Sequence, residues 1–193
     1  MTRIRYGNTN TYFLRGTEGG VLVDTDYAGT LQRFFRAIKA AGIAMGDITH
    51  VLCTHYHPDH MGLVGELQDL EVKLVLPDVQ REAVHFSDGI FARDQKLRFR
   101  PVREAEGLVL SCEDSRGFLR SLGIGGEILS TPSHSPDSVS VLLDSGECLV
   151  GDLEPFSYLG GYDSNPALER DWALLMERRP KRICYAHANE TVF

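Results

Sequence analysis

The segment Thr54-His55-Tyr56-His57-Pro58-Asp59-His60 constrains this chain more than any other. It sets three histidines and an aspartate in a His-x-His-x-Asp-His pattern, between the apolar run His50-Val51-Leu52-Cys53 and a stretch with helical periodicity. With seven histidines in 193 residues, chance places such a cluster in fewer than about one chain in a thousand. Alternate side chains at a strand end point to opposite faces, but Pro58 and the turn after it let the loop fold so that several imidazoles converge. Imidazole and carboxylate together suit Zn²⁺ or Fe²⁺. The lack of nearby thiolates argues against a structural zinc knot.

Three further donors sit at the ends of expected strands. They are His134 in Thr131-Pro132-Ser133-His134-Ser135-Pro136-Asp137-Ser138, Asp152 after Cys148-Leu149-Val150-Gly151, and His187 after Ile183-Cys184-Tyr185. Together with the first cluster they make five histidines and two aspartates. That exceeds what one tetrahedral ion uses, so the set implies two metals bridged by a carboxylate.

The rest of the chain reads as strands alternating with helices. Thr11-Tyr12-Phe13-Leu14 and Val21-Leu22-Val23 form a hairpin across Gly16 to Gly20, and the second strand ends at Asp24-Thr25-Asp26. Leu31, Phe34, Phe35 and Ile38 fall at helical spacing between Thr30 and Ala41, with Gly42 as a stop. Leu63, Val64, Leu67 and Leu70 predict one helix from His60 to Leu70, and Val72 to Leu76 a strand closed by Pro77. The stretch 78–126 is irregular, with one helix from Asp114 to Leu122 and a basic run of Arg93, Lys96, Arg98, Arg100 and Arg103; it reads as a cap or insertion over a site. Strands return at Ile128-Leu129, at Ser138 to Leu143 and at Cys148 to Val150. A helix then starts at Asn165-Pro166, where Asn caps and Pro fits the first turn.

Length and charge bound the function. At 21.5 kDa the chain suits one domain, 1–193, large enough to bury a core without help. Any metal therefore serves chemistry. The net charge of -7 argues against broad binding to nucleic acid or anionic membranes. No apolar run reaches the ~20 residues of a bilayer span, and the N-terminus lacks a signal peptide's apolar core. The expectation is a soluble, cytoplasmic protein acting on a small molecule, with no nucleic-acid and no membrane partner. Its scattered cysteines, Cys53, Cys112, Cys148 and Cys184, are read as reduced thiols.

These motifs, in this order, resemble the metallo-β-lactamase superfamily over nearly the whole chain. The resemblance implies an α/β fold, a four-layered αββα sandwich of two mixed β-sheets flanked by helices, with metals at one edge. It implies that His55, His57 and His134 hold one divalent metal, that Asp59, His60 and His187 hold a second, and that Asp152 bridges them. Zinc is placed before iron or manganese. Asp24 matches the family's early strand-end aspartate and would orient a ligand. Ser133, Asp137 and Asp26 stand where members often carry Gly, so differently shaped loops are expected there.

The resemblance makes the chain a metal-dependent hydrolase of esters, thioesters or lactones, with Asp59 also doing acid–base work. Two alternatives accompany it: a mononuclear iron oxygenase resembling persulfide dioxygenases, and an inactive metal-binding module. His50 and His85 belong to no motif and read as ordinary imidazoles. Tyr158 and Tyr162 read as packing groups before oxyanion donors, and the basic run as a solvated face before an anion clamp.

Overall fold

The computed structural model describes residues 1–161 and 164–193. Along the chain run β1 (Thr2–Arg5), β2 (Asn10–Arg15), β3 (Gly20–Val23), α1 (Leu31–Ala40), β4 (His50–Leu52), α2 (Pro58–Met61), α3 (Val64–Gln68) and β5 (Lys73–Pro77). Then come α4 (Asp88–Phe91), β6 (Leu108–Leu110), α5 (Ser115–Ser121), β7 (Gly126–Ser130), β8 (Val139–Leu143), β9 (Glu147–Leu149), α6 (Pro166–Glu177), β10 (Arg182–Cys184) and β11 (Thr191–Val192). One sheet has the order β1-β2-β3-β4-β5-β6, antiparallel up to β3 and parallel from β3 onward. The other has the order β11-β10-β9-β8-β7, in which only β9 and β10 are parallel.

Side-chain alternation along these strands builds the layers. Leu22, Val51, Leu74 and Leu76 face a cluster with Phe34 and Ile38 of α1 and with Leu63, Val64 and Leu67, which covers the outer face of the first sheet. Their chain neighbours Val21, Val23, Leu52 and Val75 point the other way, against Ile128, Val139, Val141 and Leu149 of the second sheet. Leu142, Cys148 and Ile183 face outward again, under Leu168, Trp172 and Leu175 of α6. The result is helix, sheet, sheet, helix.

This layering carries the site to one edge. The loops that hold the candidate ligands leave the carboxyl ends of β3, β4, β7, β9 and β10. The edge is tied across the sheets by backbone bonds from Val139 N–H to Thr54 O and from Asn10 N–H to Ala186 O, both 2.8 Å.

Local differences from the sequence reading have physical causes. The expected helix 60–70 is two short helices broken around Gly62, where the backbones of Asp26, Tyr27 and Ala28 pack so closely that a β-carbon would lie 2.3–2.6 Å from them. Leu70, expected on the buried stripe, is exposed, while Leu63, Val64 and Leu67 are buried. The helix at Asn165 forms as expected, with the Asn165 side chain accepting Leu168 N–H at 3.2 Å. Among the described residues no helix is long and apolar enough to cross a membrane.

Candidate functional site

Each of the seven residues singled out in the sequence lies at this edge, and their donor atoms gather into two groups of three, linked by a third made of His55, His60 and Asp152. In the first, His57 Nδ1 lies 3.0 Å from His55 Nε2 and 3.2 Å from His134 Nε2. In the second, His187 Nε2 lies 3.3 Å from His60 Nε2 and 3.2 Å from Asp59 Oδ2. Asp152 stands between them. Its Oδ2 is 3.9 and 3.8 Å from His55 and His134, and its Oδ1 is 3.4 and 3.3 Å from His60 and His187.

The local sequence explains the convergence. His57 has extended backbone angles, φ -70 and ψ 154, as a residue before proline must, and Pro58 starts α2. Asp59 and His60 therefore sit in the first turn of a helix that leads back under the strand. Thr9 Oγ1 donates to Asp59 O at 2.7 Å, and Thr25 N–H and Oγ1–H both donate to His60 O. Asp24 has a positive φ of 59, a conformation that short polar residues tolerate. From it one carboxylate accepts Thr54 N–H at 2.6 Å, Thr54 Oγ1–H at 2.8 Å and His60 Nδ1–H at 3.0 Å. That last bond fixes the tautomer, leaving His60 Nε2 free to face the site. His187 is oriented in the same way by Asn8 O, 3.3 Å from its Nδ1.

Three residues that replace the family's usual glycines have visible roles or positions. Asp137 Oδ2 accepts Tyr56 N–H at 2.7 Å, binding the second histidine loop to the first. Asp26 accepts Thr9 N–H at 3.1 Å and Tyr27 N–H at 2.7 Å. Ser133 N–H donates to Asp171 of α6 at 2.7 Å. None of the three has a positive φ, so the loops do not need glycine at these points.

Gln80 was not singled out by sequence reasoning, although it is completely buried. Its Nε2 lies 3.0–3.1 Å from the carbonyls of Cys53, Thr54 and Asp137, joining both histidine loops. A lone glutamine after a strand carries no periodic or spacing signal. Only its burial identifies it.

The electrostatics divide the two groups. Burial, reinforced by the neighbouring His60, pushes the His55 pKa far below that of ordinary imidazole, and burial also lowers His134. Burial works against charge on His60 as well, but Asp24 and Asp152 outweigh it and raise His60 to about 10. The hydrogen bond to Asp59 raises His187, and the same bond brings Asp59 down to about 2.

The donor set fits metal ions. In a tetrahedral site with bonds of about 2.0–2.1 Å, ligand atoms stand about 3.3 Å apart, close to the 3.0–3.3 Å separations of the imidazole nitrogens. The single Nδ1 of His57 faces two Nε2 atoms, which hydrogen bonding satisfies incompletely. Asp152 Oδ1 is buried and makes no hydrogen bond among the described residues.

Other candidates lie elsewhere or play other parts. His50 is buried beside Thr49 and the ring of Phe118, and His85 pairs with Asp88 on the surface. Arg100 and Arg103 pair with Asp69, and Arg103 also with Glu106, all on the exposed surface. Tyr158 is exposed in a short 3₁₀ turn, and Tyr162 lies outside the described residues. The four cysteines are free thiols, with Cys53, Cys148 and Cys184 buried.

Comparison with known proteins finds both relatives in sequence and solved structures of the same fold. A protein of Rattus norvegicus, metallo-beta-lactamase domain-containing protein 1, is 37% identical over 182 residues, 92% of this chain and 62% of its own length. The coenzyme F420H(2) oxidase of Methanothermobacter marburgensis is 28% identical over 141 residues, 70% of this chain and 31% of its own length. This chain thus spans less than two thirds of either relative. Among solved structures, a protein in a di-iron-bound form shares the fold with a TM-score of 0.73 at 23% identity, covering 100% of this chain and 94% of the other. A metallo-beta-lactamase family protein of Thermus thermophilus gives 0.68 at 22% identity, covering 95% and 70%. The family model of the metallo-beta-lactamase superfamily matches residues 4–187, and the chain belongs to that superfamily.

Proposed function

We propose that the protein is a dinuclear metallohydrolase acting on the carbonyl of an ester, thioester or lactone. The observation that carries this reading is Asp152, whose Oδ2 faces His55 and His134 while its Oδ1 faces His60 and His187. His55, His57 and His134 would hold one divalent ion and Asp59, His60 and His187 the other, with zinc the first choice. Such a pair, when bound, supplies hydroxide at neutral pH and polarises a carbonyl oxygen.

The chain's own groups provide the rest. Asp24 keeps His60 Nε2 aimed inward, and Thr9 holds the backbone of Asp59. Asp59 is one-third exposed, with Oδ2 3.2 Å from His187 Nε2 and Oδ1 3.9 Å from His60 Nε2. In this reading it would take a proton from the attacking water and return it to the leaving group.

The di-iron neighbour and the oxidase relative favour testing iron as well as zinc. The deciding experiment is elemental analysis of the purified protein, followed by a panel of small esters, thioesters and lactones assayed with each metal. Close to two ions per chain with metal-dependent turnover supports the proposal. One iron per chain, no hydrolysis and oxygen uptake with a persulfide would replace it with the oxygenase reading.

A further inference from the structure

Two cavities border the ligand cluster, one at His57 and the other at His134, Asp152 and His187, and their linings differ from what an anionic substrate needs. The larger, about 400 Å³, is walled by Tyr56, Val79, Ala83, Phe86 and Pro136 and reaches the cluster at His57. The Phe86 ring is 60% exposed and lies 5.5 Å from the His57 ring, as one wall of the mouth. The smaller, about 200 Å³, lies among Leu153, Pro155, Tyr185 and Ala188 and borders Asp152, His134 and His187. Among the described residues neither cavity is lined by lysine or arginine. Their charged lining groups outside the cluster are acids, Glu82 and Asp137 in the larger and Glu154 in the smaller. The basic run 93–103 is absent from both.

From this we infer that the substrate is an uncharged acyl compound whose hydrocarbon chain occupies the larger cavity, with a smaller leaving group beside His187. The inference rests on the hydrolase reading for its chemistry. The orientation follows from His187, which lines the smaller cavity and lies 3.2 Å from Asp59 Oδ2, whereas the larger cavity reaches the cluster only at His57. Water's oxygen forms the new bond to the carbonyl carbon. The bond to the leaving oxygen or sulfur breaks with its electron pair, and the proton taken from water through Asp59 goes to that atom. Apolar walls favour a chain by burying its surface, and the acids repel a carboxylate or phosphate at its far end.

The test compares acetyl, butanoyl, hexanoyl and octanoyl esters of one small alcohol, acetyl esters of progressively longer alcohols, and an octanoyl analogue ending in a carboxylate. The expected result is a kcat/KM that rises about fourfold per added methylene in the acyl series, stays nearly flat in the alcohol series, and falls at least about tenfold for the carboxylate. Ala83→Trp should fill the larger cavity and bring the octanoyl-to-acetyl ratio down toward one. Phe86→Ser, at an exposed position, should lower that ratio in the same direction if the tryptophan variant fails to fold. Binding of the neutral fluorophore N-phenylnaphthylamine, displaced by octanol and weakened in both variants, reports on the cavity without turnover. No hydrolysis of any ester, with the fluorophore still bound and displaced, sinks the hydrolase reading and leaves the apolar cavity standing. Equal rates along the acyl series, or a preference for the carboxylate, overturns the substrate class and leaves the hydrolase in place.

Discussion

The two donor groups at the sheet edge use the same residue types but hold their protons oppositely. Burial lowers the pKa of His55 and His134, whereas Asp24 and Asp152 raise that of His60 and the hydrogen bond to Asp59 raises that of His187. Burial thus favours in His55 and His134 the neutral form that a cation needs. In the second group, His60 must give up a proton before it can bind one. Both groups have an acid within reach through Asp152. The contrast comes from the carboxylates Asp24 and Asp59, which contact only the second group.

The strongest way to break this comparison is to remove what the groups share. Asp152→Ala should lower turnover by at least about a thousandfold, beyond the roughly 10–100-fold typical of groups that act through a ligand, and elemental analysis should show both ions weakened. A variant that keeps two ions per chain would mean that the two groups are independent.

Asp24→Asn sharpens the contrast, because it removes the charge that holds His60 while keeping its shape. Affinity of the second group alone should fall by about 10–100-fold. Competition with a chromophoric chelator resolves the two binding steps, and equal weakening of both would contradict the account.

The pH dependence follows in sign from the same shifts. His60, raised to about 10 in the metal-free protein, stays protonated through neutral pH and must release that proton on binding. The second ion should therefore bind about tenfold more tightly for each unit of rising pH between about 6 and 9. His55 and His134 are shifted the other way, so the first ion should bind with a weaker pH dependence than the second. Calorimetry in buffers of different ionisation enthalpy counts the protons. The same lowered His55 and His134 should cost the metal-free fold stability as pH drops below about 6.5, where the unfolded imidazoles charge and the folded ones do not.

The smallest effect tests how the first group is held. Gln80→Ala should destabilise the fold by about 1–3 kcal/mol, since it frees buried carbonyls in both histidine loops. Urea unfolding measures this, and a loss below about 0.5 kcal/mol would mean that the loops hold their shape without the glutamine.

Legibility in the sequence follows the same divide between local and distant causes. The hairpin of β2 and β3, helix α1 and the histidine loop are visible because alternation, helical spacing and Pro58 act within a few residues of the groups they place. The four layers were expected from a family resemblance, and the structure gives their cause in the alternation of Val21, Leu22 and Val23 between two cores. The break at Gly62 was not legible, because it depends on the backbone at Asp26 to Ala28 arriving alongside. Strand β1, strand β11 and the edge strand β6 escaped notice as well. Each is short, and Leu108-Val109-Leu110 sits at a half-exposed edge where apolar residues do not alternate. The roles of Asp137 and Gln80 arise from contacts spanning 26 residues or more in sequence, beyond any local pattern.

Whether two cations share Asp152 is answered most directly by anomalous scattering from a crystal grown with zinc, recorded above and below the metal's absorption edge. The account requires two peaks about 3.5–4 Å apart with one oxygen of Asp152 on each. A single peak, or two peaks with Asp152 turned away from one of them, would contradict it.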